Sequence, residues 1–405
     1  MRVPAFIALA SLALGPASAQ QPDVSPEDRL IHDQMLVIDT HLDIPSRFRT
    51  GWDLGDLHHF AEDNSQVDLP RMEQGGLDGG FFVVYTAQGD LTPAGYRQAR
   101  DAALLRTIEI HRMLGAHRDR IALVTTADEG ERAWRGGKRL AYISIENSWP
   151  LGEDLSLLKT FHDLGVRMAG PVHSRDNQLA DSTTGQGRWR GLSPLGRRWV
   201  AEMNRLGMLI DVSHSSDAAF DQMVQLSRVP IVASHSGPSA INEHPRNLDD
   251  DRMRRLAQAG GVMFLNSLFL APHDTSEERS RLEERQLRWG RLNAQERRQL
   301  LADRAALERR QPFQQATFDT YMRAMLHSIR VMGVDHVGLG ADWDGGGGVQ
   351  GMEDITFLPR ITARLRREGF SDSDIAKIMG GNLMRVMRAA EAAAGTRPGQ
   401  GGTAG

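Results

Sequence analysis

Residues 36–45 read LVIDTHLDIP, a short apolar run of strand-like residues that stops at His41, Leu42 and Asp43. In an extended chain alternate side chains point the same way, so His41 and Asp43 present an imidazole and a carboxylate toward one point. Alone, a His-x-Asp at the end of a strand is equally well explained as turn chemistry. Recurrence gives the stretch its meaning. The apolar run 139–145 delivers Glu146, 166–172 ends at His173, 208–212 runs into Ser213-His214, and 229–233 into Ser234-His235. Further on, 261–265 ends at Asn266, and 336–339 ends in Gly340-Ala341-Asp342.

With the apolar run 81–85, these segments make eight strands. Helix-like patterns lie between them at 66–76, 91–118, 155–164, 193–206, 216–226, 249–258 and 313–332, and a closing helix is expected over 380–394. Strands separated by helical crossovers argue for parallel βα units, and eight such units argue for a closed (β/α)8 barrel of the TIM type. Residues 271–312 fall outside the rhythm. Rich in Arg, Glu and Leu, they read as a charged helical insertion after the seventh strand. The expected organisation is one barrel domain over 20–394 and a Gly-rich flexible tail over 395–405.

Composition narrows the function. Arg and Lys number 48 against 52 Asp and Glu, a formal charge of −4, so nothing draws the chain to nucleic acid or to an anionic membrane. A small neutral or zwitterionic substrate suits it better. There is no cysteine, which excludes disulfides, thiolate zinc sites, a thiol nucleophile and a lipid-anchor cysteine. The start carries Arg2, an apolar run to Leu14, and Ala17-Ser18-Ala19 before Gln20. This is the pattern of a secretory signal peptide over 1–19, and it implies an exported, periplasmic or secreted protein. The run is too short to span a bilayer, and no later segment is long and apolar enough to do so.

Strand ends of a (β/α)8 barrel converge over one mouth, where such barrels place their chemistry. His41, Asp43, Glu146, His173, His214, His235 and Asp342 would therefore meet there. Imidazole and carboxylate without thiolate suit zinc or a related divalent ion in a hydrolytic site.

At these residues the chain resembles the membrane (renal-type) dipeptidases, zinc-dependent enzymes that cleave free dipeptides. The resemblance is carried by VIDTHLDIP at 37–45, QVDLPRMEQGGLDGGFF at 66–82, ISIENSW at 143–149, HSRDNQLADS at 173–182 and GLSPLG at 191–196. It continues through NRLGMLIDVSHSSDAAF at 204–220, PIVASHSGPSAINEHPRN at 230–247, HVGLGADWDGG at 336–346 and GGNLMRVMRAAE at 380–391. Spacings of 27 residues from Glu146 to His173 and 21 from His214 to His235 make it more specific than any single motif.

The resemblance implies two Zn2+ ions, one on His41 and Asp43, the other on His214 and His235, with Glu146 and a water or hydroxide bridging them. It further implies that His173 stabilises the oxyanion, that Asp342 moves the proton and can hold the substrate ammonium, and that Arg246 grips the substrate carboxylate. Leu268 and Pro171-Val172 depart from the family pattern, which bears on substrate preference. Three readings follow. The first is a dipeptidase with a small-molecule substrate and room for a homodimer. The second is a related binuclear amidohydrolase acting on an N-acyl amino acid, a lactone or a specialised peptide. The third is an exported barrel protein that binds without catalysis.

Overall fold

The computed structural model describes residues 23–44, 52–63, 65–286 and 288–394. The expected signal peptide over 1–19 and the tail over 395–405 lie outside the described residues. Nine strands are described: β1 (Ile38–Leu42), β2 (Gly79–Tyr85), β3 (Ile121–Leu123), β4 (Arg139–Glu146), β5 (Val166–Ala169), β6 (Leu209–Ile210), β7 (Val232–Ser236), β8 (Val262–Leu265) and β9 (Val337–Leu339). Their order is β6-β5-β4-β2-β1-β9-β8-β7, every pair parallel, with β3 appended to β4. The two ends of this order meet through a single parallel bridge, Asp211 to Val232, reinforced by Val212 N donating to Val232 O at 2.8 Å. Eight strands thus form a nearly closed (β/α)8 barrel, as the sequence predicts.

Strand alternation explains which side chains reach the mouth. Along β4, Leu140 and Tyr142 join one apolar cluster while Ala141, Ile143 and Ile145 join another. Continuing the period of two carries Ser144 and then Glu146 along the Leu140 side, with Glu146 as the last residue of the strand. The Leu140 cluster gathers Ile38, Phe81, Met168, Leu209, Val232 and Val262, one from each of six other strands, around Leu383, Met384 and Met387 of the closing helix Asn382–Ala392. That helix is reached through a π-helical turn at Lys377–Gly381.

Several boundaries differ from the sequence expectations. The strand expected at 229–233 begins at Val232 because Pro230 has no N–H to give a ladder. The fourth barrel strand ends at Ala169, two residues before Pro171. The helix expected from 313 starts at Phe318, capped by Thr317, since Phe313 O accepts from Asp274 N and Gln314 pairs with His273 at the neck of the insertion. Strand β3 and the helix Ala127–Arg135 lie outside the sequence expectations, although Thr126 and Glu129 form a capping box at that helix's start. The insertion between β8 and β9 holds the helices Glu277–Gln286 and Ala294–Arg310, joined by their own small core of Leu282, Leu300 and Leu307. Among the described residues no helix is long and apolar enough to cross a membrane.

Candidate metal centre

Strand ends place all seven sequence-predicted side chains of the mouth together. Potential ligand atoms of His41, Glu146 and His235 lie within 4.8 Å of one another, as do those of Glu146, His173 and His214, and those of His41, Asp43 and Asp342. The cluster is buried except for His173 and Asp43, which are partly exposed.

Glu146 divides the cluster. Its Oε1 lies 2.9 Å from His214 Nε2, 3.4 Å from His235 Nε2 and 3.6 Å from His173 Nε2, while its Oε2 faces His41 Nε2 at 3.8 Å. His41 Nε2 in turn stands 3.3 Å from Asp43 Oδ2 and 3.9 Å from Asp342 Oδ1. One carboxylate therefore offers one oxygen to each of two ligand sets.

The electrostatics match a site built for cations. Burial, helped by Arg246, holds His173 down to about 4, and burial drives His214 and His235 well below the ordinary imidazole value. All three are then neutral near pH 7 with a lone pair to donate. Burial raises Glu146 and Asp342, and the Asp43 carboxylate adds to both shifts. For His41 burial works against protonation but is outweighed by Asp43 and Glu146, which push it up to about 10. In the protein alone, a proton on His41 is the positive charge nearest these carboxylates; a bound cation would replace it.

Backbone conformation marks the same rim. Asn147, His214 and Asp342 adopt left-handed φ values of 69°, 68° and 67°, a region uncommon for non-glycine residues and entered most readily by Asn, Asp and His. Asn266, at the end of β8, donates from Nδ2 to Asp342 Oδ2 at 3.3 Å.

Arg246 is buried, and its Nη2 donates to His235 O at 3.2 Å. Its Nε finds no partner among the described residues, and the guanidinium carbon stands 5.4 Å from the Phe269 ring centre. Three groups near the site lie outside the residues to which the sequence points. Asp39 and Asp211 bond the backbone of ligand-bearing strands, and Tyr85 sets its ring 4.8 Å from that of His173. The repeated Ile-Asp before His41 and before His214 was the available signal for the two aspartates.

A nearly closed (β/α)8 barrel with a buried nitrogen and oxygen ligand cluster at its mouth defines a metal-dependent hydrolase. The chain belongs to the membrane dipeptidase family, peptidase family M19, whose sequence profile matches residues 27–400. It is 30% identical over 339 residues to the dipeptidase tcpJ of Claviceps purpurea, covering 82% of this chain and 71% of that protein. Among solved structures it is similar to the probable dipeptidase PvdM from Pseudomonas aeruginosa, with a TM-score of 0.77, 28% identity, and 91% and 98% of the two chains covered. It is also similar to a metallo peptidase from Rhodobacter sphaeroides liganded with a phosphinate mimic of the dipeptide L-Ala-D-Ala, with a TM-score of 0.69, 27% identity, and 88% and 99% covered.

Proposed function

We propose that this chain hydrolyses the peptide bond of free dipeptides at a two-zinc centre. His41 and Asp43 would hold one ion, His214 and His235 the other, and Glu146 would bridge them. The observation that carries the reading is the division of Glu146, Oε1 toward His214 and His235, Oε2 toward His41. Bound there, two divalent cations would polarise a carbonyl and acidify a water near neutral pH.

The remaining residues supply positioning and proton movement. Ser174 Oγ lies 2.7 Å from His173 Nδ1; with that nitrogen accepting the hydroxyl proton, Nε2 carries the hydrogen and can donate to an oxyanion. Asp342, steadied by Asn266, can take a proton and deliver it to the leaving amine, or hold the substrate's ammonium. Arg246 is buried and keeps its Nε without a partner among the described residues, and a guanidinium suits a carboxylate bound in two-pronged fashion. The dipeptide mimic bound by the Rhodobacter sphaeroides relative supports the same substrate class.

A panel of free dipeptides, N-acyl amino acids and lactones, assayed with metal content measured alongside, tests this. Turnover of dipeptides with about two zinc ions per chain is expected. Preference for an N-acyl amino acid, which satisfies Arg246 but offers no ammonium to Asp342, would favour the amidohydrolase reading. His173→Ala and Asp342→Asn should lower kcat while metal content stays near normal; loss of an ion in either would make that residue a ligand. We also infer export from the leader-like residues 1–19, which cell fractionation and N-terminal sequencing of the mature protein would check.

A further inference from the structure

Two strands enter the mouth with the same dipeptide, Ile38-Asp39 before His41 and Ile210-Asp211 before His214. Both aspartates are buried, and neither faces the proposed ions as a ligand. Asp39 Oδ1 accepts from His41 N at 2.9 Å, and its Oδ2 accepts from Ala341 N, across on β9's extension, at 2.9 Å. Asp211 Oδ1 accepts from Ser213 N at 2.9 Å and from Ser234 N, on β7, at 2.8 Å; its Oδ2 accepts from Ser234 Oγ at 2.6 Å.

Each carboxylate thus ties its own strand to the neighbour at a junction where the ladder is thinnest. Strands β1 and β9 share one paired register position, Asp39 with Leu339, and one further bridge beyond β9, Leu42 with Trp343, while β6 meets β7 through one bridge. Those junctions are also where residues of the site arrive from two adjacent strands, His41 beside Asp342 and His214 beside His235. At the second junction the bond chain continues to a ligand. Ser234 donates its hydroxyl hydrogen to Asp211 Oδ2, so its Oγ, 2.8 Å from His235 Nδ1, accepts there. That fixes the tautomer with the proton on Nδ1 and leaves the His235 Nε2 lone pair free for an ion.

We propose that Asp39 and Asp211 are positioning residues that work independently, Asp211 registering the strands that carry His214 and His235, and Asp39 those that carry His41 and Asp342. Each therefore governs the affinity of one ion and not the other. This rests on the two-ion reading above.

The test is zinc content of the purified full chain after dialysis against a series of buffered zinc concentrations, with circular dichroism to verify folding. Wild type should titrate two ions. Asp211→Asn and Asp39→Asn should each weaken one ion by about 10–100-fold, the range that losing such outer partners produces. Combining Asp211→Asn with His214→Ala should impair no further ion, whereas Asp211→Asn with His41→Ala should leave neither ion at its wild-type affinity. If Asp211→Asn does not fold, Ser234→Ala, which removes only one hydroxyl, should still weaken the same single ion. A wild type holding fewer than two ions would sink the two-ion reading without any variant. Two ions in wild type, with the variants weakening both equally or neither, would overturn the positioning assignment alone.

Discussion

His214 Nε2 and His235 Nε2 lie 2.9 Å apart, and Glu146 Oε1 closes a triangle with them at 2.9 and 3.4 Å. Ligands at about 2.0–2.1 Å from a tetrahedral zinc are separated by about 3.3 Å, so this triangle is within a few tenths of an ångström of three corners of such a site. The atoms come from three separate strands, the ends of β4 and β6 and the body of β7. Random core packing has little reason to aim two imidazole nitrogens and a carboxylate at one point.

Removing the shared corner should therefore disturb both ions. In Glu146→Ala, zinc content is expected to fall from about two ions toward zero. His235→Ala should lose mainly one. Mass-spectrometric metal analysis checks this, and a Glu146→Ala protein that kept both ions would remove the bridging role.

Gly345 packs against the other half of the site. A Cβ there would collide with Asp342 Oδ1 and Asp43 Oδ2, and both carboxylates belong to the cluster around His41. Gly345→Ala is expected to displace them, and a shift near 1 Å at reacting groups can cost about 100-fold in rate. The predicted signature is a large fall in kcat/KM with loss of one ion. Normal kinetics in this variant would mean that the loop yields freely.

Ligands were legible in the sequence because each closes a strand, and a barrel brings strand ends together whatever their distance along the chain. Asp39 and Asp211 were not legible as functional because an Asp inside an apolar strand declares no partner. Their acceptors serve backbone N–H groups of neighbouring strands, Ala341 and Ser234, which only the folded register brings near. Strand β3 escaped for another reason: three residues are too few for a period of two to stand out. The helix Ala127–Arg135 did carry a sign, Thr126 with Glu129 three residues on, but it follows so closely on β3 that no long apolar rhythm announces it.

Far from the mouth, His32 makes a pH prediction of known sign. It is buried between Thr362 Oγ1, 2.8 Å from its Nδ1, and Gly75 O, 3.0 Å from its Nε2, and burial lowers it from 6.5 to about 4. The folded state keeps it neutral, while the unfolded chain takes up a proton below 6.5. Its contribution is intact above pH 6.5, is lost as pH falls from 6.5 toward 4, and declines no further below that, a total of about 3 kcal/mol. Denaturant midpoints measured for wild type and His32→Gln across pH 4 to 7 should converge toward acid. Parallel curves would show that His32 does not carry this dependence.

Arg246 offers the sharpest test of substrate class. Its guanidinium is buried, is anchored through Nη2 on His235 O, and keeps Nε without a partner among the described residues. A guanidinium donor that no group among the described residues occupies is open to a carboxylate, and a hydrogen bond between charged partners is stronger than one between neutral groups. Hydrogen bonds to charged groups contribute about 1.5–3 kcal/mol, or about 10–100-fold in affinity. Arg246→Ala should thus lower kcat/KM for a free dipeptide by about that factor. Against the same dipeptide amidated at its C-terminus, wild type should already be impaired, and the substitution should cost much less. The comparison forms a double-mutant cycle in which protein and substrate each lose one partner of the same contact. Additive losses in that cycle would mean that Arg246 and the substrate carboxylate do not meet, and the gripping role would pass to another residue.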